Sequence, residues 1–236
     1  MNNINKLLLT SALVVSGFSV ANAQVSNKNF VGPSVEVGVQ HNQFSKQFKS
    51  FYIGSDDEFS GGGAKDIQGS GDSTLGRLGF NYGIPSSDRT VITLGATYSL
   101  GKNDPNTAGF SVGGPSGYSS MLYDKMYSLY IAPTYAVNDS TAVFGKVSYN
   151  RADSILSSYG YDSNNKTIQG FGLGVGITTF ITKDIFIKAE VDRIDYGSND
   201  YYFSFIESTW SPYSGEGQAK IKSVATNATI SLGVKF

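Results

Sequence analysis

Cysteine is absent from the 236-residue sequence, which excludes disulfides, thiol catalysis, thiolate-bound metal and the lipidated cysteine of a lipoprotein. Any attachment to a membrane must then come from the fold itself. Long apolar runs are also missing: beyond residue 23 no window approaches the roughly 18 consecutive apolar residues of a spanning helix. Charge of one sign is not in excess either. With 18 basic and 19 acidic residues the net charge is −1, so no global field recruits nucleic acid or holds the chain on anionic lipid. Methionine occurs three times and proline six times.

What the chain has instead is 28 glycines, 15 tyrosines and 15 phenylalanines, a mixture of turn formers and aromatic strand formers that reads as all-β. Its N-terminus carries Lys6, then an apolar stretch from Leu7 to Val20 and the small-residue site Ala21-Asn22-Ala23. A cation, a short apolar segment and an A-x-A site make a secretory signal, too short and too interrupted for an anchor. We expect cleavage after Ala23, a mature chain from Gln24 and one domain over 24–236, delivered to the periplasm.

Eight stretches of about ten residues alternate in polarity at period two, the length a tilted strand needs to cross a bilayer. They lie at about 30–40, 73–83, 90–100, 123–137, 141–151, 166–181, 185–196 and 221–236. In each, one face is apolar: Val35, Val37 and Val39 in the first, Leu78, Phe80 and Tyr82 in the second, Leu173, Val175 and Ile177 in the sixth. The opposite face carries Glu36, Arg77, Lys146, Lys188, Glu190 and Asp192, and a row of glycines at 170, 172, 174 and 176. A cation facing lipid at the midplane costs about 2–4 kcal/mol, so the charged face should point inward and the apolar face toward lipid. Tyr82, Phe80, Tyr98, Tyr135, Tyr149 and Phe236 read as interfacial aromatics near strand ends.

Connections alternate short (84–89, 137–140, 182–184) with long (41–72, 101–122, 152–165, 197–220). Short turns opposite long loops are the plan of an eight-stranded antiparallel transmembrane β-barrel, with periplasmic turns, extracellular loops and both termini periplasmic. A secreted β-sandwich also alternates, but its strands run about five or six residues and its open edges would leave backbone groups unpaired in lipid.

The segment Tyr130-Ile131-Ala132-Pro133-Thr134-Tyr135-Ala136-Val137-Asn138-Asp139, with Ala142 to Tyr149 after it, resembles the central hairpin of small OmpX/Ail-like and opacity-type outer-membrane barrels of the porin family. Gly170 to Ile177, Ala189-Glu190-Val191-Asp192 and Leu232-Gly233-Val234-Lys235-Phe236 resemble their last three strands. The resemblance implies an outer-membrane location in a Gram-negative cell and a C-terminal assembly signal, here Ile230, Leu232, Val234 and Phe236, read by the barrel-assembly machinery. Members include adhesins, surface-protection proteins and small pores, so fold alone does not assign activity.

The reading of function is therefore a surface-exposed structural, protective or adhesive barrel acting through its loops, with a small pore as the alternative and a lipid A-modifying enzyme third. No catalytic, cofactor or metal residues are assigned. The expected partners are outer-membrane lipids and lipopolysaccharide, the assembly machinery and an extracellular ligand, with no nucleic acid and a monomeric state. An eight-stranded interior is just wide enough to be filled by side chains, which favours a plug of ion pairs over a channel, though the glycine row would leave room for water or for Arg and Lys stems. The sole histidine, His41, with Ser45 and Asp56-Asp57-Glu58 beyond it, forms no recognisable triad. The same acidic run lacks the ligand spacing of a calcium loop. Gly61-Gly62-Gly63 precedes no helix, and Asn138-Asp139-Ser140 reads as turn chemistry. Loop aromatics at Phe48, Phe51, Tyr52, Tyr118, Tyr159, Tyr161, Tyr201, Tyr202, Phe203, Phe205, Trp210 and Tyr213 fit either a binding surface or strand extensions packed on one another.

Overall fold

A computed structural model describes residues 27–55, 67–104, 119–158, 164–205 and 215–236. A one-turn 3₁₀ helix, Asn27–Phe30, precedes eight strands: β1 Gly32–Ser55, β2 Ile67–Pro85, β3 Thr90–Leu100, β4 Ser119–Ala136, β5 Thr141–Ser158, β6 Asn164–Phe180, β7 Ile185–Phe205 and β8 Gly215–Lys235. Each pairs antiparallel with its sequence neighbours, and β8 closes on β1, so the sheet is a closed barrel. Closure satisfies the ladder at every strand, as a wall in lipid requires.

Side chains sort by parity as the alternation predicts. Val35, Val37, Val39, Leu78, Phe80, Leu129, Ile131, Val147, Phe171, Leu173, Val175, Ile187, Ile230 and Leu232 all stand exposed on the outer wall. Together they form a continuous apolar belt. Phe80 lies in the middle of this belt, paired across to Val35 and Ala96, rather than at a strand end.

The strands depart from expectation at one end of the barrel. β3 and β6 keep close to the expected length; β1, β2, β5, β7 and β8 run well past the apolar belt, so much of what reads as loop is ladder. The cause is a change of solvent along each strand. Within the belt the outward residues are apolar and the inward ones polar; beyond it the parity continues but the polarity inverts. On β1 the inward residue becomes Phe44 between outward Gln43 and Ser45, and on β7 inward Ile194 and Tyr196 flank outward Asp195. On β8 inward Ile221 and Ala225 alternate with outward Lys222 and Thr226. A wall facing water buries its apolar face inside, the ordinary arrangement of a soluble sheet.

The opposite, turn end is compact. The tight turn at 137–140 is held by the Asn138 side chain, whose Oδ1 accepts from the N–H groups of Ser140 at 2.9 Å and Thr141 at 2.7 Å, the asparagine turn expected from the sequence. The 3₁₀ segment lies across this mouth of the barrel. Asn27 donates its backbone N–H to the Asp88 carbonyl at 3.1 Å and its side chain to the Ser87 and Thr90 carbonyls. Lys235 Nζ donates to the Lys28 carbonyl at 2.7 Å, and the Phe30 ring meets Phe180 edge-on at 5.4 Å. No sequence signal marked this strap, because its anchors are isolated side chains bonded to distant turns.

Candidate functional site

Inside the belt, the six inward charges come together in one buried layer. Glu190 on β7 is its hub. Its Oε1 accepts from Arg77 Nη1 at 2.5 Å and from Lys146 Nζ at 2.8 Å, while its Oε2 lies 3.6 Å from Lys188 Nζ. Lys188 also pairs with Glu36 at 2.6 Å, and Lys146 with Asp192 at 3.3 Å. Three cations thus face three anions, leaving the layer without net charge.

Neutral partners add further hydrogen bonds, although Arg77 Nε and Nη2 have no hydrogen-bond partner among the described residues. Arg77 Nη1 also donates to Thr229 Oγ1 at 3.0 Å, Asn227 donates to Asp192 Oδ2 at 3.1 Å, and Asn81 donates to Glu36 Oε2 at 3.1 Å. Tyr130 donates its hydroxyl to Asn81 Oδ1, with Lys188 Nζ 5.7 Å from its ring centroid. Ions so deep are tolerated only because each is paired and hydrogen-bonded.

Cross-strand glycines make room for this layer. Glu36 lies over its register partner Gly79, where a Cβ would come within 2.6 Å of Glu36 Cγ. Tyr130 lies in the same way over Gly95, Asp192 over Gly174 and Phe144 over Gly176. The glycine row of β6 was expected to leave space for water or for Arg and Lys stems. That space is occupied instead by the side chains of directly adjacent strands: a Cβ at Gly176 would stand 2.3 Å from Phe144 Cζ, and one at Gly172 would stand 2.5 Å from Ser148 Oγ.

Toward the loop end a second, apolar layer closes the lumen. Phe44 stacks on Tyr123 with ring centroids 4.2 Å apart and planes 15° from parallel. Met121, Met126, Ile168, Ile194, Tyr196, Tyr201 and Ile221 pack with them, all buried. Tyr123 donates to Ser223 Oγ at 3.1 Å, and the Tyr201 and Ser154 hydroxyls bond at 2.6 Å. Lys46 crosses the cluster with its Nζ 5.3 Å from the Tyr123 centroid and donates to the Met121 carbonyl at 3.2 Å. Sequence reading missed this layer. Its signal was present in the inverted alternation of 41–47, 193–196 and 221–226, visible once strands are allowed to outrun the membrane.

Space inside the wall is correspondingly small. A cavity of about 60 Å³ lies between the N-terminal strap and the ionic layer, lined by Phe30, Tyr130, Phe144, Phe186 and Lys188, and one of about 30 Å³ lies between the ionic and apolar layers. Both have room for a few water molecules.

The remaining expected site residues scatter. His41 sits within β1, on the outer wall, with Nδ1 3.1 Å from Thr74 Oγ1 and Nε2 3.8 Å from Asp72 Oδ2. It is a strand residue and not a loop residue, because β1 continues to Ser55. Ser45 lies on the same wall, whereas Asp56-Asp57-Glu58 and Gly61-Gly62-Gly63 fall outside the described residues. So do Tyr118, Tyr159, Tyr161, Trp210, Tyr213 and the signal site Ala21, Ala23 and Gln24. Phe48, Phe51, Tyr52, Phe203 and Phe205 lie in strands β1 and β7. Tyr201 is buried inside the wall, whereas its neighbour Tyr202 is 62 % exposed outside it.

A closed antiparallel barrel of eight strands, greasy outside and charged within, is an outer-membrane barrel. The chain belongs to the outer membrane protein beta-barrel domain family, whose model matches residues 10–236. No curated protein sequence matches it. Among solved structures it is similar to the outer membrane protein OprG of Pseudomonas aeruginosa, at 14% identity and a TM-score of 0.55, over 91% of this chain and 99% of that one. It is also similar to Ail, the attachment invasion locus protein of Yersinia pestis, at 11% identity and a TM-score of 0.40 over 85% and 98%. A third similarity is to the outer membrane protease OmpT of Escherichia coli, at 10% identity and a TM-score of 0.47 over 92% and 100%. These likenesses concern the fold.

Proposed function

We propose that the protein is a non-conducting outer-membrane scaffold that presents its extended loop end at the cell surface for a structural, protective or adhesive role. The observation that carries this reading is the doubly closed lumen, ionic within the belt and aromatic above it, with cavities of only about 60 and 30 Å³ between. A barrel filled in this way has no route for solute, so its adaptable surface is the part that rises beyond the belt. In this orientation the turns and both termini face the periplasm, and residues 1–23 act as a cleaved export signal. Ile230, Leu232, Val234 and Phe236, exposed in a row at the turn end of β8, serve as the assembly signal. The barrel acts as a monomer in contact with outer-leaflet lipid, and it carries out no catalysis; His41 is an outer-wall residue of the β1–β2 ladder beside Thr74.

Deleting the loop tips at 56–66 and 206–214 tests the surface role. The shortened protein is expected to keep the gel shift between boiled and unboiled samples, because the belt and both lumenal layers are untouched. Binding of whole cells to extracellular matrix or host cells is expected to fall to the level of a strain lacking the protein. Undiminished binding by the loop-deleted protein would overturn the adhesive role.

A further inference from the structure

Among the described cations buried inside the wall, Lys46 is the one without a carboxylate in contact. Arg77, Lys146 and Lys188 each lie within 2.8 Å of an acidic oxygen in the ionic layer. Lys46 instead points inward from β1 into the aromatic layer beyond the belt, where it is 3 % exposed. Its three N–H donors find one acceptor, the Met121 carbonyl at 3.2 Å, and one ring face, that of Tyr123 at 5.3 Å. We propose that Lys46 makes closure of this outer layer sensitive to acid, so that a proton on its amine loosens the loop end while the ionic layer below keeps the lumen shut. The inference goes beyond the surface role above and shares only its orientation, which turns this end to the external medium.

Little around the amine offsets a charge. Directly across in register lie Gly69 on β2 and Ser223 on β8, and β2, β5 and β8 present no titratable side chain to it among the described residues. The acidic group acting on it is Asp104, just past β3 and exposed. Lys166 on β6 is a like charge, turned to the Asp200 carbonyl at 2.8 Å and to the Tyr201 ring. An ammonium placed here has given up its water for one carbonyl and one ring face, a loss that a neutral amine largely escapes. Burial accordingly pushes Lys46 down to about 7, against a weaker upward pull from Asp104. Burial pushes the phenols that β4 and β7 contribute, Tyr123, Tyr196 and Tyr201, upward and away from neutrality.

The backbone gives way at the same height. Pairing of β1 with β2 reaches only to Phe48 among the described residues, and the β1–β8 register shifts between Phe48 and Ser50. The ladder is therefore irregular just beyond Lys46, where local opening meets least resistance.

Once the end loosens, the amine meets water and holds its proton up to the ordinary lysine value of about 10.4. In the closed layer it holds a proton only below about 7. Closure is thus firmest at high pH, weakens as pH falls through this interval, and weakens no further once both states are protonated. Over the two units around neutrality, the loosened population rises about tenfold.

Amide hydrogen exchange on the full barrel in detergent, with each rate divided by the intrinsic rate at that pH, reads the loosening. Protection at Phe44, Tyr123 and Ile221 is expected to fall about tenfold from about pH 8 to about pH 6 and then to level off, while Val35 and Val37 in the belt stay constant. Lys46→Met keeps a long side chain without the charge, so its protection is expected to stay constant over that range and to exceed the wild-type value at the acid end. His41→Gln, on the outer wall, is expected to retain the wild-type profile. Flat protection in the wild type would overturn the proposal whether or not the variant folds. A Lys46→Met profile as steep as that of the wild type would also overturn it, by assigning the pH dependence to another group. Exchange does not read binding through the loop tips, so the surface role stands or falls on its own experiment.

Discussion

Glu190→Ala is expected to destabilise the barrel by about 3–5 kcal/mol, the loss typical of removing one partner from a buried ion pair. The residue contacts Arg77 at 2.5 Å, Lys146 at 2.8 Å and Lys188 at 3.6 Å, so its removal leaves three buried cations facing only Glu36 and Asp192. For a chain of this size the apparent unfolding temperature should drop on the order of 10 °C. The temperature at which the unboiled form disappears from a gel measures it directly. Asp192→Asn provides the scale, because Asp192 contacts only Lys146 among the cations, at 3.3 Å, and the amide can still bond Asn227; its shift should be clearly smaller. Equal shifts for the two variants would mean that Glu190 is not the hub.

Tyr123→Ala is expected to destabilise the loop end by about 3–5 kcal/mol, the range for emptying an aromatic site in a packed interior. Tyr123 is fully buried, stacks on Phe44 and bonds Ser223. The effect should be local. Amide hydrogen exchange is expected to accelerate around Phe44, Met126 and Ile221 and to stay unchanged around Val35, Val37 and Val39 within the belt. Tyr123→Phe keeps the stack and loses only the hydroxyl bond, so it should cost about 1 kcal/mol. Uniform acceleration over the whole barrel would show that the two layers are one cooperative unit, contrary to the inversion of polarity at the belt rim.

The belt and its charged lining were legible because lipid imposes a strict rule. Lys146, Lys188 and Glu190 share a parity opposite to Val147, Ile187 and Val191, and no other assignment keeps charge out of hydrocarbon. The short turns were legible for a local reason, as the Asn138 turn illustrates. The apolar layer was not, because the rule that located the strands changes sign where water replaces lipid. Phe44 and Ile194 occupy inward positions that would be polar inside the belt, so a search for greasy outward faces ended the strands at about 40 and 196. The glycine row misled differently. Period two places Gly174 and Gly176 on the inner wall, but only register says that Asp192 and Phe144 lie directly across and fill the gap. Register depends on every turn at once and cannot be read from one strand.

A barrel closed by two layers should be electrically silent, and reconstitution of the purified protein in a planar lipid bilayer tests this most directly. The expected record has no discrete conductance steps over the full range of applied voltage. Reproducible single-channel steps from the wild-type protein would contradict the closed lumen, and with it the assignment of function to the surface beyond the belt.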